Sequence, residues 1–301
     1  MKTTIKAHAK LNLFLKVTGR RPDGYHNIHS VIQPISLFDE IEIDDMPGNR
    51  IETISSSDYT LNGLPWVEPL RLESEHNLTT RAARLLAKLA KCNTGLKMLL
   101  KKKIPIAAGL GGGSTDAACV LNHLNELWNL GLTTADLFEL GASLGCDIPA
   151  LLTGKTVEVE GKGEIVKRVN VASMNSIWFV LVNPGISVMT SDIYSKFDSG
   201  LTQKSLLTNL SDLLLGLEKG CVAQISKGLH NDLERLALRK YPILARIKEK
   251  LLELGALGSL MSGSGATVFG ITATRCEADK IATGVSDAVG CPLWTEVVSG
   301  I

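Results

Sequence analysis

A glycine-rich stretch in the first half of the chain constrains its fold most. Residues 102–121 read KKIPIAAGLGGGSTDAACVL, with four glycines among the five residues Gly109 to Gly113, and an alanine-rich run follows. Glycine lets backbone N–H groups approach a ligand closely, and the N-terminus of a following helix presents unpaired donors at the positive end of its dipole. The pattern favours a phosphate-binding loop over the alternative, a tight turn that only packing requires.

Two common phosphate-binding motifs do not fit this stretch. Walker A requires a lysine directly after its last glycine, and no lysine follows these glycines. The dinucleotide fingerprint G-x-G-x-x-G would begin at Gly109 and Gly111, but Ser114 occupies the position of its third glycine. A Rossmann oxidoreductase also needs an acidic residue about 20 residues later. The nearest candidates, Asp136 and Glu139, lie in a predicted helix, so this alternative is weaker, and titration of NADH fluorescence would test it.

Composition and charge bound the class of protein. The 301 residues suffice for one large domain or two ordinary ones, and 45% hydrophobic with 21% charged residues is ordinary for a soluble globular protein. The formal net charge of +1 gives no electrostatic reason to expect nucleic acid or a membrane as a partner. The N-terminus lacks a secretory pattern, and no apolar run approaches about 18 residues. Six cysteines without a C-x-x-C pair fit a reducing compartment, so we expect a cytoplasmic location.

Period-two alternation predicts strands in the first hundred residues. The opening strand has one aliphatic face and a second face that carries Lys10 and Asn12. Residues 30–44 are predicted as two extended pieces that Pro34 interrupts. The lysine run at residues 101–103 is interpreted as a solvated strand end.

Helical spacing alternates with further strands along the rest of the chain. Helices are predicted at residues 77–91, 114–129, 133–145, 205–219, 220–254 and 276–288. Strands or hairpins are predicted at residues 95–106, 151–169, 176–185, 259–274 and 293–298. Thr133 or Thr134 is expected to cap its helix, and Pro242 to break the longest one.

Several segments resemble one family. Residues 105–118, PIAAGLGGGSTDAA, look like the second motif of the GHMP kinases, the family of galactokinase, homoserine kinase and mevalonate kinase, and residues 260–271, LMSGSGATVFGI, are similar to its third. Residues 9–28, AKLNLFLKVTGRRPDGYHNI, resemble the first motif of a branch that phosphorylates a cytidine diphosphate derivative of methyl-erythritol in the non-mevalonate route to isoprenoid precursors. Further segments match that branch in the same order: LGCDIPALL, NPGISVMTSDIY and HNDLE.

This resemblance implies an α+β fold of two domains. The domain of residues 1–170 is expected to be like ribosomal protein S5 domain 2, and that of residues 171–301 ferredoxin-like. The active site then lies in the cleft between them. The periodicity supports mixed strands and helices with a restart after about residue 170, but not that topology by itself.

The resemblance also implies an ATP site. Its phosphate loop comprises Pro105, Ile106, Ala107, Ala108, Gly109, Leu110, Gly111, Gly112, Gly113, Ser114 and Thr115. The second glycine-serine turn, Gly263, Ser264 and Gly265, is expected to shape a wall of the site, although an ordinary strand turn is an equal alternative on sequence alone. Members of the family often carry glycine at Ala107 and Ala108, and the methyl group of Ala108 limits positive φ there.

Two residues are expected to carry the chemistry. Asp147 precedes Pro149, so its ordinary interpretation is a helix N-cap, but its apolar neighbours leave few local partners, which suits a general base. Lys10 on a strand is ordinarily a surface residue. In enzymes that look like this one, that lysine pairs with the aspartate and stabilises developing charge.

The resemblance further implies how the substrate is held. Tyr25 and Tyr194 are expected to sandwich a cytosine ring while His26 hydrogen-bonds to its edge, and Asn12 and Thr190 are expected to contact the substrate. From the residues alone, half-buried turn or core aromatics would be the better interpretation. Mg²⁺ is expected with ATP, touched by the Ser114 or Thr115 hydroxyl, but its protein ligands and the oligomeric state are not predicted.

Two related functions compete with this one. Another small-molecule kinase of the homoserine or mevalonate type is possible within the family, and a substrate panel would decide. A non-catalytic ligand sensor on the same scaffold should lack the lysine–aspartate pair, whereas both Lys10 and Asp147 are present.

Overall fold

The computed structural model describes residues 2–57, 60–61, 64–65, 76–90, 95–195, 197 and 207–301, and over these ranges the chain is α+β, as predicted. The strands are β1 (Thr3–Arg20), β2 (His26–Met46), β3 (Ile51–Ser57), β4 (Thr60–Leu61), β5 (Leu64–Pro65), β6 (Gly95–Lys102), β7 (Val157–Gly161), β8 (Ile165–Arg168), β9 (Trp178–Asn183), β10 (His230–Asn231), β11 (Gly258–Met261), β12 (Val268–Thr272) and β13 (Trp294–Ser299). The helices are α1 (Leu78–Ala90), α2 (Gly112–Leu127), α3 (Thr134–Leu144), α4 (Ile148–Leu152), α5 (Thr190–Ser195), α6 (Leu207–Lys219), α7 (Val222–Gly228), α8 (Glu234–Lys240), α9 (Pro242–Glu253) and α10 (Arg275–Val289).

The chain forms two compact units that interleave along the sequence. Unit 1 comprises Met1–Ala9, Leu37–Ile106 and Gly111–Gly154. Unit 2 comprises Lys10–Ser36, Ala107–Leu110 and Lys155–Ile301. A domain boundary at residue 170 stays a prediction, because these units do not divide at one point in the sequence.

Unit 1 packs helices on a short stretch of sheet. The second half of β2 pairs antiparallel with β6, and β3 pairs parallel with β6. Apolar side chains of these strands and of α1 to α4 form one core, including Ile41, Met98, Leu86, Leu121 and Ile148. Burial of aliphatic side chains of this size contributes about 1.5–3 kcal/mol each, which makes this core the main support of the unit.

Unit 2 contains a four-stranded antiparallel sheet in the order β11-β12-β9-β13. Leu251 on α9 and Ile281 on α10 share a core with Val180 and Val268 of this sheet. The same unit contains β10, the part of β1 from Lys10 onward and the part of β2 up to Ser36, with β7 paired to β2 and β8 to β7. In the described part of the chain, the strands therefore do not form the parallel sheet that a dinucleotide-binding fold requires.

The prediction for residues 30–44 was wrong, since β2 is one continuous strand. Its pairing with β7 ends at Ile32 and its pairing with β6 begins at Glu40. Pro34 lies between these two ladders, where its missing N–H interrupts neither. The opening strand is also buried on both faces at its centre, where Lys10 and Asn12 are each 4% exposed.

The long helix predicted for residues 220–254 is instead α7, β10, α8 and α9, so that prediction was wrong before Pro242. Gly228 ends α7 where a Cβ would lie 2.5 Å from the Leu213 backbone nitrogen. Asn231 then pairs with β1 as part of β10. Helical periodicity in the sequence does not predict pairing between such distant segments. No helix among the described residues is long and apolar enough to span a membrane.

Candidate active site

The first half of the glycine loop needs glycine for a steric reason. Gly109 has φ 78°, and a Cβ there would lie 2.2 Å from the Ser262 carbonyl oxygen. Gly111 has φ 72°. The alanine with positive φ is Ala107, at 53°, whereas the limit was expected to matter at Ala108. An alanine thus occupies a left-handed backbone position, which is a local strain that the loop carries.

Protein donors hold the carbonyl groups of this part of the loop. Within unit 2, the Lys10 N–H donates to the Leu110 carbonyl at 3.0 Å, and the Thr267 N–H donates to the Ala108 carbonyl at 3.1 Å. The Ser262 hydroxyl donates to the Gly109 carbonyl at 2.9 Å. A loop whose carbonyls are bound by the protein can direct its N–H groups to an anion instead.

Helix α2 begins without a side-chain cap. Gly111 occupies the N-cap position, so no side chain is available there, and the helix starts two residues before the predicted Ser114. The Thr115 hydroxyl donates to the His8 carbonyl at 2.8 Å and is buried, so of the two hydroxyls proposed to touch a metal, half-buried Ser114 is the one left accessible. A Cβ at Gly113 would have Leu78 as its nearest neighbour, at 3.8 Å, so this face of the helix start is open.

A buried ionic cluster supports the start of α2, and sequence analysis missed it. Lys102 is 4% exposed and donates to Asp39 and, at 2.8 Å, to Asp116. The Asp39 carboxylate also accepts the backbone N–H groups of Lys103 and Ile104 at 2.5 and 2.9 Å. Lys102 follows Met98 and Leu100 on the buried face of β6, so the period-two pattern was the signal that contradicted a solvated strand end.

The cluster contains two carboxylates and one ammonium group, and this sets its titration. Burial raises the pKa of Asp116; Lys102 opposes that effect and Asp39 adds to it, and the result is about 7. Burial lowers the pKa of Lys102, but Asp116 and Asp39 outweigh it and raise the value to about 12. Oδ1 of Asp116 has no hydrogen-bond partner among the described residues.

Lys10 lies beside the second glycine turn. Its ammonium donates to Asn12 Oδ1. A Cβ at Gly263 would lie 3.2 Å from Asn12 Oδ1 and 3.4 Å from Lys10 Nζ at a φ of 56°, so a side chain there would be both crowded and strained. Three motifs quoted separately from the sequence, the first strand, the glycine loop and the glycine-serine turn, therefore meet within unit 2.

The HNDLE segment shapes this turn, a role that the sequence did not reveal. The Asn231 amide donates to the carbonyls of Met261 and Gly263, both at 2.7 Å. Gly263 has φ 56° and Gly265 has φ 90°, conformations that glycine adopts most readily. The turn is thus held by a buried side chain from a distant part of the sequence.

The predicted substrate-contacting residues fall into two groups in unit 2. The Thr190 hydroxyl lies 2.9 Å from the Ser264 hydroxyl. The rings of His26 and Tyr194 are adjacent, with centroids 5.3 Å apart, and Phe197, which the sequence analysis did not select, lies 6.3 Å from His26. Tyr25 is 55% exposed. Burial, and then Arg20, lowers the pKa of His26, so its ring is neutral at neutral pH.

Asp147 lies in unit 1, immediately before α4. It occupies the N-cap position of that helix, yet within the described structure its side chain does not cap it. Its φ and ψ, −80° and −17°, are helical rather than the extended values typical of a capping residue. The ordinary interpretation of Asp147 as an N-cap is therefore not supported, and its role stays a prediction.

The sequence did not predict which protein side chains would hold a metal ion. Within the part of the chain that the structure describes, the group of acidic and histidine side chains close enough to share an ion is His29, Glu158 and Glu160, on β2 and β7. His29 is bonded to Glu158, and Glu160 accepts from Lys167 at 2.7 Å.

Comparison with known proteins gives one consistent family. Residues 77–155 match the GHMP kinases N terminal domain, and residues 213–290 match the GHMP kinases C terminal domain. A 4-diphosphocytidyl-2-C-methyl-D-erythritol kinase of Pelotomaculum thermopropionicum is 41% identical over 94% of this chain and 93% of its own. The protein of that name from Geobacter metallireducens is 40% identical over 95% and 94%.

Solved structures agree with the sequence comparison. A crystal structure of 4-(cytidine 5'-diphospho)-2C-methyl-D-erythritol kinase covers 99% of this chain and 100% of its own, with 31% identity and a TM-score of 0.78. A homoserine kinase from Cytophaga hutchinsonii has a TM-score of 0.76 at 19% identity, covering 99% and 94%, which shows a shared fold only.

Proposed function

The chain belongs to the GHMP kinases, and on that premise we propose that it transfers the γ-phosphoryl group of ATP to the 2-hydroxyl of 4-diphosphocytidyl-2-C-methyl-D-erythritol. It is a phosphotransferase with an alcohol acceptor, as its relatives are named. The reaction belongs to the non-mevalonate route to isoprenoid precursors. A cytoplasmic location fits the five described cysteines, all of which are free thiols.

One observation carries this proposal most directly, the convergence of Lys10, Gly109 and Gly263 within unit 2. Close backbone approach at both glycines leaves peptide groups next to a buried ammonium group. Phosphoryl transfer needs this combination, since most of its catalysis is positioning and neutralisation of phosphate charge.

The proposed mechanism uses the predicted residues in three roles. N–H groups of residues 105–115 and the start of α2 bind the phosphates. Asp147 accepts the proton of the substrate 2-hydroxyl while the oxygen of that hydroxyl attacks the γ-phosphorus. The bond between the γ-phosphorus and the β-phosphate oxygen breaks, which releases ADP. Lys10 stabilises the charge that develops on the attacking oxygen. Mg²⁺, when bound with ATP, neutralises phosphate charge, and the Ser114 hydroxyl is the residue on this loop that fits it.

The aromatic group supports a cytosine site. His26, Tyr194 and Phe197 offer ring faces and one neutral imidazole, which has a donor and an acceptor for a base edge. Exposed Tyr25 completes the proposed sandwich. Thr190 and Asn12 remain proposed substrate contacts, although the Asn12 amide is already engaged by Lys10 and Ser30.

The test is ADP release from ATP and Mg²⁺ with this substrate, compared with homoserine and mevalonate. We expect Asp147→Asn to lower kcat by a factor on the order of 10²–10⁴ while ATP still binds. Turnover of homoserine or mevalonate alone would assign another member of the family, and an unaffected variant would remove the base from Asp147.

Asp136→Ala is the matched control. Asp136 closes a capping box with Thr133 at the start of α3, where it accepts the Thr133 N–H at 2.8 Å. Its loss should destabilise the fold by about 0.3–1.5 kcal/mol and leave kcat unchanged. The pair of variants separates an aspartate that caps a helix from one that carries the reaction.

A further inference from the structure

Ser30 is a buried polar residue that the mechanism has not used, and it is hydrogen-bonded to Asn12, the side chain that accepts from Lys10. It lies on β2 and is fully buried. Its hydroxyl donates to the Phe14 carbonyl at 2.5 Å, and its oxygen accepts from the Asn12 side-chain amide at 2.9 Å. All three residues belong to unit 2.

The directions of these hydrogen bonds fix the orientation of the Asn12 amide. A serine hydroxyl has one proton, and a carbonyl only accepts, so the Ser30 proton is committed to Phe14. Ser30 can then meet Asn12 only as an acceptor, which requires the Asn12 NH₂ group on that side. The opposite end, Oδ1, consequently faces Lys10, whose ammonium can only donate.

We infer that Ser30 is a positioning residue for Lys10, acting through the amide of Asn12. This inference rests on the proposed function for the role of Lys10, but the chain of bonds does not. Asn12 is also tied to the glycine-serine turn, since its N–H donates to the Ser262 hydroxyl at 3.3 Å. The relay therefore fixes the lysine relative to the turn that it neighbours.

Removing the Ser30 hydroxyl should release this orientation. In Ser30→Ala, the buried Asn12 NH₂ group loses its acceptor, and rotation of the amide would point a donor at the ammonium group. Loss of an interaction that is made only in the transition state lowers kcat without weakening the binding of the substrate. We expect kcat to fall about 10- to 100-fold, with the KM for ATP within about twofold of wild type.

Two variants separate positioning from general stability. Ser30→Thr keeps the hydroxyl and should restore kcat to near the wild-type value. Thr156→Val removes another buried hydroxyl of unit 2, which donates to the Gln33 amide oxygen at 2.7 Å, and serves as the matched control. It should lower the melting temperature without lowering kcat.

A readout that does not depend on the substrate keeps the two proposals distinguishable. Acetic anhydride labels free amines, and the labelling of Lys10 relative to exposed Lys97 can be measured by mass spectrometry. The ratio should rise in Ser30→Ala and stay at the wild-type value in Ser30→Thr and Thr156→Val. If wild type turned over none of the substrate, the proposed function would fail, whereas this ratio would still decide the inference.

The outcomes against the inference are definite. An unchanged labelling ratio in Ser30→Ala, or a rise of the same size in Thr156→Val, would show that Ser30 is merely a core hydroxyl. Equal loss of kcat in Ser30→Ala and Ser30→Thr would do the same. If Ser30→Ala does not fold, Ser30→Cys keeps the volume with a weak donor and should show the same rise in Lys10 labelling.

Discussion

Gly109 and Gly113 show at the scale of single residues that glycines of one loop serve different needs. A Cβ at Gly109 would strike the backbone of Ser262 and would also sit in a left-handed conformation. Gly113 lies in the first turn of α2, where a Cβ would fit in ordinary van der Waals contact with Leu78 at 3.8 Å. The first glycine is required by the fold, so the second is where a ligand's need for bare backbone can be tested.

We predict opposite results for the two alanine variants. Gly109→Ala should lower the melting temperature strongly and abolish activity, because backbone atoms at 2.2 Å cannot yield without moving the turn. Gly113→Ala should keep or raise stability, by up to about 1 kcal/mol for a helical site, yet raise the KM for ATP as the methyl group meets a phosphate. Thermal unfolding and initial rates against ATP concentration measure both effects. An unchanged KM in Gly113→Ala would place the phosphates on another part of the loop.

At the scale of elements, the Lys102 cluster joins β2, β6 and α2. Asp39 holds the residues that leave β6, and Asp116 anchors the first turns of the helix that follows the loop. Both ends of the glycine loop in unit 1 are thereby fixed by one buried ion group. Gly112 belongs to the arrangement, since a Cβ there would lie 3.1 Å from Lys102 Nζ.

This cluster predicts a pH dependence of stability. The pKa of Asp116 is raised from 3.8 to about 7 in the folded protein. Between these values folded Asp116 keeps a proton that the unfolded chain has already released. The folded state binds more protons between these values, so the free energy of unfolding falls as pH rises through this window and levels off above it. Between about pH 5 and about pH 7 the loss should be on the order of 1–3 kcal/mol.

Urea unfolding of wild type and Asp116→Asn at both pH values measures this contribution. Asparagine does not titrate, so the free energy of unfolding of wild type minus that of the variant should decrease as the pH rises. Asp136→Asn is the control, because hydrogen bonds from Thr133 lower the pKa of exposed Asp136 and place its titration below this window. A difference that stays constant with pH would mean that Asp116 is charged throughout.

At the scale of the whole molecule, local pattern predicted most elements and failed where partners are distant in sequence. The strand-turn-strand of residues 259–274 and the helix capped by Thr133 follow from periodicity and turn chemistry, and the structure contains both. The burial of Lys102 and the hydrogen bonds of Asn231 depend instead on partners in other helices and strands, which local pattern does not reveal. In the site, motif resemblance selected Lys10 and Gly263, but Ser30 and Phe197 are recognisable only from contacts.

The two units interleave because residues distant in the sequence share one core, and this affects how a fragment of the chain can fold. Leu15 and Val17 of β1 belong to the same core as Val180 and Leu251 of unit 2. A segment from the start of the chain is therefore built into the unit that contains its end. A cut in the sequence at residue 170 therefore removes Leu15 and Val17 from the core that Val180 and Leu251 help to form.

We therefore predict that residues 171–301 alone will not unfold cooperatively, whereas a rejoined unit 2 will do better. Ile32 pairs with Val157, so residues 36 and 155 lie close together and a short glycine-serine linker can join residues 10–36 to 155–301. The fusion restores Leu15, Val17 and the strand that pairs with β10. Urea titration followed by circular dichroism should give a sharp transition for the fusion and a shallow one for the fragment. A sharp transition for residues 171–301 alone would instead establish the boundary at residue 170 and make the contribution of β1 dispensable.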